Sequence, residues 1–218
     1  MAASLLPVGA ALPALPPRVL PRRRPVARLL GLAILRLMGW TWTGGFPNQP
    51  RMMLIGAPHT SNWDGVVGLA AAAACEIDVR VLAKAELFRF PFGGIMRWLG
   101  IVPVQRDAPG GLVEQAIVRL SGPEPSALGI TPEGTRGRVE RWKTGFHRIA
   151  VAANVPIVVV GIDWGRKQIG VNGAFYPTGD LATDLDTIAT LLDGVVGKHP
   201  DRDSPIRLEA DASSTQPA

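Results

Sequence analysis

A single α/β domain is the fold this sequence predicts, with a mixed central sheet flanked by helices and an interfacial helix ahead of it. Three observations carry that reading. Short apolar runs alternate with helical segments from Met52 to Val196, the order that builds a sheet covered by helices. The run Pro156–Ile162 is continuously apolar and rich in β-branched residues, the mark of a strand buried on both faces. The length of 218 residues is enough for one large core.

Residues 1–25 are rich in alanine, leucine and proline and end in Pro21-Arg-Arg-Arg-Pro25, which reads as an irregular arm. The positive charges follow the apolar stretch rather than precede it, against a secretory signal; an organellar transit peptide stays open. Val26–Trp40 is predicted helical, with Pro25 near its first turn. Arg28 and Arg36 fall within about 80° of each other on that apolar cylinder, the pattern of a helix lying in a membrane interface. A helix packed into the core is the alternative. Residues 44–50, Gly-Gly-Phe-Pro-Asn-Gln-Pro, form a turn into the domain. Strands are then expected at 52–57, 79–83, 101–105, 127–130 and 156–162. Helices are expected at 65–75, 86–99 (interrupted near Pro91 and Gly93-Gly94), 111–120, 144–153 and 185–196. The organisation is thus a basic arm with an interface helix over 1–45, a domain over 46–199, and a disordered acidic tail over 200–218.

Hydrophobic residues make up 47% of the chain and mean hydropathy is +0.18, yet no run of about 18 to 20 uncharged apolar residues is present to span a bilayer. Attachment to a membrane surface fits better. The net charge of +5 is uneven: residues 1–63 hold seven arginines and no acid, while the remaining sixteen basic and eighteen acidic residues leave the rest at −2. Because these arginines flank apolar sequence closed by Trp40 and Trp42, the expected partner of residues 18–42 is an anionic membrane surface rather than nucleic acid. The implied location is the cytoplasmic face of a membrane, peripheral or monotopic. One cysteine excludes an intramolecular disulfide, and Cys75, His147 and His199 lack the spacing of a zinc site, so no metal is expected.

His59-Thr-Ser-Asn-Trp-Asp64 falls between the strand at 52–57 and the helix that follows. Ser61 or Asn62 is suited to cap that helix, which puts Asp64 in its first turn, from where it can curl back to His59. A carboxylate bonded to one ring nitrogen fixes the tautomer and leaves the other as a base near neutral pH. A loop histidine beside a capping aspartate is the alternative. Three strands end in cations: Lys84, Arg106, and Arg136 within Thr131-Pro-Glu-Gly-Thr-Arg-Gly-Arg138. Ligands of open α/β sheets lie at the carboxyl ends of the strands, so cations there suit an anion, phosphate above all. No Walker loop, GxGxxG or GxSxG is present, which points to a phosphate on the substrate and to direct transfer to a hydroxyl.

Four blocks in order resemble the glycerolipid acyltransferase family that includes the lysophosphatidic acid acyltransferases. They are His59–Asp64 (His-x4-Asp), Gly100–Arg106 (Gly-Ile-x-Pro-Val-x-Arg), Glu133–Arg136 (Glu-Gly-Thr-Arg), and the apolar run opened by Val155-Pro-Ile. Lys84-Ala-Glu-Leu and the Lys143-Thr-Gly145 turn are also similar to that family's. The resemblance implies a glycerol-3-phosphate acyltransferase-like fold and acyl transfer from acyl-CoA, or from acyl carrier protein, to the hydroxyl of lysophosphatidate. His59 would be the base and Asp64 its orienting partner. Lys84, Arg106, Glu133, Gly134, Thr135, Arg136 and Lys143 would form the phosphate pocket, while Asn62 and Pro156 would support that pocket or the acyl donor. No cofactor is implied beyond the donor. Pro58, Trp63 and Gly137 depart from the common pattern without removing a charged group. Glycerol 3-phosphate, another lysophospholipid or a glycolipid as acceptor, and a non-catalytic lipid-binding module, remain alternatives.

Overall fold

The computed structural model describes residues 15–84, 93–94, 97, 100–104 and 111–206 and the backbone of residues 5–6; for 83–84 and 103–104 it describes the backbone alone. The helix expected at 86–99, Gln105, Arg106 and residues 207–218 lie wholly or largely outside the described residues.

The sheet is mixed and helices cover both faces, as the alternating pattern predicts. Its strands are β1 (Leu5–Leu6), β2 (Thr41–Thr43), β3 (Arg51–Ala57), β4 (Val79–Lys84), β5 (Ile101–Val104), β6 (Ser126–Ile130), β7 (Ile157–Asp163) and β8 (Gln168–Phe175). They lie in the order β1-β2-β8-β7-β3-β6-β4-β5. From β7 to β5 every pair is parallel, and β8 joins β7 antiparallel. Among the described residues the helices are α1 (Pro25–Leu37), α2 (Asn62–Ala74), α3 (Gly111–Ser121), α4 (Gly145–Ala153) and α5 (Leu181–Leu191).

Alternation along the central strands fills two cores. Met52, Leu54, Val158 and Ile162 face α1 and α2, and pack with Leu35, Val67 and Ala71. Met53, Ile55, Ile157 and Val159 face α3, α4 and α5, and pack with Leu120, Phe146 and Ile188. Both faces being covered explains why β7 reads as an unbroken apolar run.

α1 docks on α2 through a close approach that only glycine permits: a Cβ on Gly31 would stand 2.4 Å from the carbonyl oxygen of Ala70. Leu35 is fully buried beside it, whereas Val26, Leu29, Leu30 and Leu37 on the outward side are 52 to 87% exposed. The helix therefore packs one stripe on the core, as the core-packed reading expects, and presents an apolar stripe outward. No helix of the described residues is long and apolar enough to cross a membrane.

Three differences from the sequence-based expectation have local causes. β8 escaped notice because Gly170, Asn172 and Gly173 dilute its strand signal. The last helix begins four residues early, where the Asp180 side chain accepts from Thr183 N–H at 2.9 Å, and it stops before Gly194, whose φ is +69°. The expected disordered tail is corrected for residues 200–206. A 3₁₀ turn (Pro200–Arg202) opens this stretch; Arg138 donates to the Asp203 carbonyl at 2.7 Å and Val139 N–H to Ser204 Oγ at 3.1 Å. Hydrogen bonds to a distant loop order a stretch whose composition alone reads as unstructured.

Candidate active site

β7, β3 and β6 are neighbours, and their carboxyl ends deliver Trp164, His59 and Glu133 to one edge of the sheet. β3 ends at Ala57, a cis peptide joins Ala57 to Pro58, and the chain turns through His59 and Thr60 into the cap of α2. Ser61 is that cap. Its hydroxyl accepts from Trp63 N–H at 3.2 Å, and the Asp64 carboxylate accepts in return from Ser61 N–H at 2.7 Å, a reciprocal capping box.

Asp64 is 1% exposed, and its oxygens are divided between two tasks. Oδ2 accepts from the backbone N–H groups of Thr60 and Ser61, both at 2.7 Å, and lies 3.4 Å from His59 Nδ1. Oδ1 accepts from the indole N–H of Trp164 at 2.7 Å. Burial by itself raises the carboxyl, but contact with His59 and the bonds from Ser61 and Trp164 outweigh it and hold Asp64 below its ordinary value. The result is a buried anion beside an imidazole whose Nδ1 is itself buried, faces Asp64 Oδ2 at 3.4 Å, and closes no hydrogen bond among the described residues. With Nδ1–H turned to Asp64, the lone pair sits on Nε2, and the ring is 19% exposed.

Glu133 holds the other side of the same residue. Its carboxylate accepts from His59 backbone N–H, at 2.9 Å to Oε2 and 3.2 Å to Oε1. Only 3% exposed, it has its pKa pushed up to about 7 by burial, against the opposing bond from His59 and with the Asp203 and Asp64 charges adding to the rise. Two carboxylates thus flank one histidine with their pKa values displaced in opposite directions.

The remaining expected residues are placed unequally. Arg136 donates to Asn62 Oδ1 and so lies over the amino end of α2. Lys143 runs across Gly134, where φ is +67° and a Cβ would meet the lysine Nζ at 2.7 Å. Thr135 is exposed and accepts from Gly137 N–H at 3.4 Å within its own loop. Lys84 is the last residue of β4, two strands from β3 and so about 10 Å across the sheet. Pro156 is buried at the amino end of β7, the far edge from His59, where its carbonyl accepts from Met53 N–H at 2.9 Å. It supports the strand and is remote from the reacting edge.

The sequence reading missed Trp164, Lys198, His199 and Asp203. His199 N–H donates to Thr60 Oγ1 at 3.2 Å, closing the C-terminal segment over the His59 turn. A tryptophan directly after the most apolar strand, and so at its carboxyl end, was the one available signal. A second histidine–aspartate pair, His147 Nε2 to Asp184 Oδ2 at 2.7 Å, joins α4 to α5. Asp184 there also accepts from Thr178 N–H and hydroxyl, which makes the pair a tie between helices.

An imidazole facing a buried carboxylate thus lies at the carboxyl edge of the parallel strands, with Arg136 over the amino end of the adjacent helix. Residues 46–163, more than half of the chain, match the family model described as Acyltransferase, and the chain belongs to that family. It is 30% identical over 122 residues to the 1-acyl-sn-glycerol-3-phosphate acyltransferase of Salmonella typhimurium, and 30% over 124 residues to that of Escherichia coli K12. Each alignment takes in 53% of this chain and 49% of the relative, so the chain spans about half the length of the curated relatives it matches. The crystal structure of the 1-acyl-sn-glycerophosphate acyltransferase of Thermotoga maritima shares the fold, with a TM-score of 0.56 and 19% identity over 78% of this chain and 75% of that one.

The electrostatics give a stability prediction. Glu133 binds its proton more tightly folded than unfolded, so its contribution is fully present below the ordinary 4.5 and is lost as pH rises through about 7. Measured by urea unfolding at about pH 5 and about pH 8, the wild type is expected to lose up to roughly 3 kcal/mol relative to Glu133→Gln across that interval. A gap between the two proteins that does not move with pH would contradict the buried protonated state.

Proposed function

We propose that the protein transfers a fatty acyl group from acyl-CoA to the free hydroxyl of 1-acylglycerol 3-phosphate, giving phosphatidate, as a step of phospholipid biosynthesis. The observation that carries this reading is the His59–Asp64 pair at the carboxyl edge of the sheet, with Arg136 lying over the adjacent helix end. The similarity to 1-acyl-sn-glycerol-3-phosphate acyltransferases of Salmonella typhimurium and Escherichia coli supports the choice of acceptor.

His59 Nε2 takes the proton of the acceptor hydroxyl as its oxygen bonds to the thioester carbonyl carbon. Asp64 stabilises the imidazolium that forms and keeps its tautomer. The tetrahedral intermediate collapses with cleavage of the carbon–sulfur bond, and the proton on Nε2 passes to the departing thiolate. The products are the new ester and free coenzyme A, with His59 restored. Arg136 and Lys143 bind the acceptor phosphate, together with Lys84 and Arg106, and Glu133 with the Gly134–Thr135 turn sets the floor of that pocket. The protein meets the lipid at a membrane surface through the outward stripe of α1, where exposed Leu29 and Leu30 lie among Arg23, Arg28 and Arg36.

Coenzyme A release from palmitoyl-CoA is expected to require lysophosphatidate and to fall about a thousandfold or more in folded His59→Ala. Wild-type release from that variant would contradict the mechanism, and a neutral glycolipid as best acceptor would contradict the phosphate pocket. In co-sedimentation with vesicles containing anionic phospholipid, the double change Leu29→Asp and Leu30→Asp is expected to weaken binding by about tenfold or more. Unchanged sedimentation would remove α1 from the membrane contact.

A further inference from the structure

The family match ends at residue 163, and the next residue makes a contact that none of the four sequence blocks contains. Trp164 follows the end of β7, and its indole N–H donates to Asp64 Oδ1 at 2.7 Å across 100 positions of sequence. Its backbone N–H donates to the Val196 carbonyl at 2.9 Å, which fixes the main chain. Trp40 packs edge-on against its ring with centroids 5.0 Å apart. The ammonium groups of Lys167 and Lys198 lie 4.3 and 4.7 Å from the ring centroid, and Lys198 is also 5.1 Å from the ring of Trp63. A cation against an indole draws electron density from the ring and strengthens its N–H as a donor.

We propose that Trp164 is a positioning residue for the reaction: its indole N–H, held by Trp40, Lys167 and Lys198, locks the Asp64 carboxylate so that Oδ2 stays aimed at His59 Nδ1. The backbone donors of Thr60 and Ser61 hold only Oδ2, so among the described residues the Trp164 indole is the donor on Oδ1 that stops the carboxylate from turning about its own axis. A rotated carboxylate leaves Nδ1 without its partner and the imidazole without its fixed tautomer. For its kinetic consequence this role rests on the acyl-transfer reading; the contact chain from the Trp164 indole N–H through Asp64 to His59 Nδ1 does not.

The test follows both. The Trp164 indole N–H resonance of the full-length protein is recorded from about pH 5 to 8, the range in which histidine ordinarily titrates, in wild type and in His59→Gln. The titratable groups facing these residues are Asp64, Glu133, Asp203, His199, Lys167 and Lys198, so any shift that survives in His59→Gln belongs to a group other than His59. A wild-type shift that His59→Gln removes supports the coupling. In parallel, Trp164→Phe is expected to lower kcat about ten- to a hundredfold with KM within about twofold. An indole proton with the same pH response in both proteins overturns the proposal whatever Trp164→Phe does to the rate, and so does a Trp164→Phe enzyme with wild-type kcat. A protein that turns over no donor with any acceptor, yet whose indole proton follows His59, overturns the acyl-transfer reading and leaves the positioning role standing.

Discussion

Burying a carboxylate to 1% exposure is expensive unless both oxygens are answered by donors, and the turn after β3 is shaped by that requirement at Asp64. Two consecutive backbone N–H groups, from Thr60 and Ser61, must point at Oδ2, which fixes the path of the chain out of the strand. Ser61 is thereby set as the cap, and α2 starts at Asn62. Trp164 must reach from the neighbouring strand end to Oδ1, which ties β7 to the same point. His59 is carried on this turn, and its Nδ1 faces the carboxylate at 3.4 Å because the backbone around it has already been spent on Asp64.

Glu133 completes the geometry from the third strand. By accepting from His59 backbone N–H it fixes where the residue sits, while Asp64 fixes which way its ring faces. The two carboxylates differ in donor supply: among the described residues Asp64 has three N–H donors, and Glu133 accepts from His59 N–H alone. That difference is why burial wins at Glu133 and loses at Asp64. The shorter His147–Asp184 contact shows that distance alone does not make a site. It joins α4 to α5, and Thr178 donates to the same carboxylate through its N–H and hydroxyl.

What could be read from the sequence was what is local or periodic. The strands from Arg51 to Asp163 carry a strong apolar signal, and His59 and Asp64 are five positions apart on one turn, so both the parallel core and the histidine–aspartate contact were legible. β8 was not, because its glycines give packing room and no hydrophobic signature. The Trp164, His199 and Arg138 contacts span 100, 139 and 65 positions, and no short window contains both partners. Pro156 belongs to a legible block but sits at the opposite edge of the sheet, since a strand seven residues long separates its start from its functional end.

The claim on which the rest depends is that Asp64 holds His59 with its proton on Nδ1 and its lone pair on Nε2. Ring ¹⁵N chemical shifts of His59 in the neutral form measure this directly, because protonated and bare imidazole nitrogens resonate far apart. The account predicts a protonated Nδ1 and a bare Nε2, changing toward a mixture of tautomers in Asp64→Asn. A neutral His59 protonated on Nε2 in the wild type would contradict it, since the nitrogen available to a substrate hydroxyl would then have no lone pair to offer.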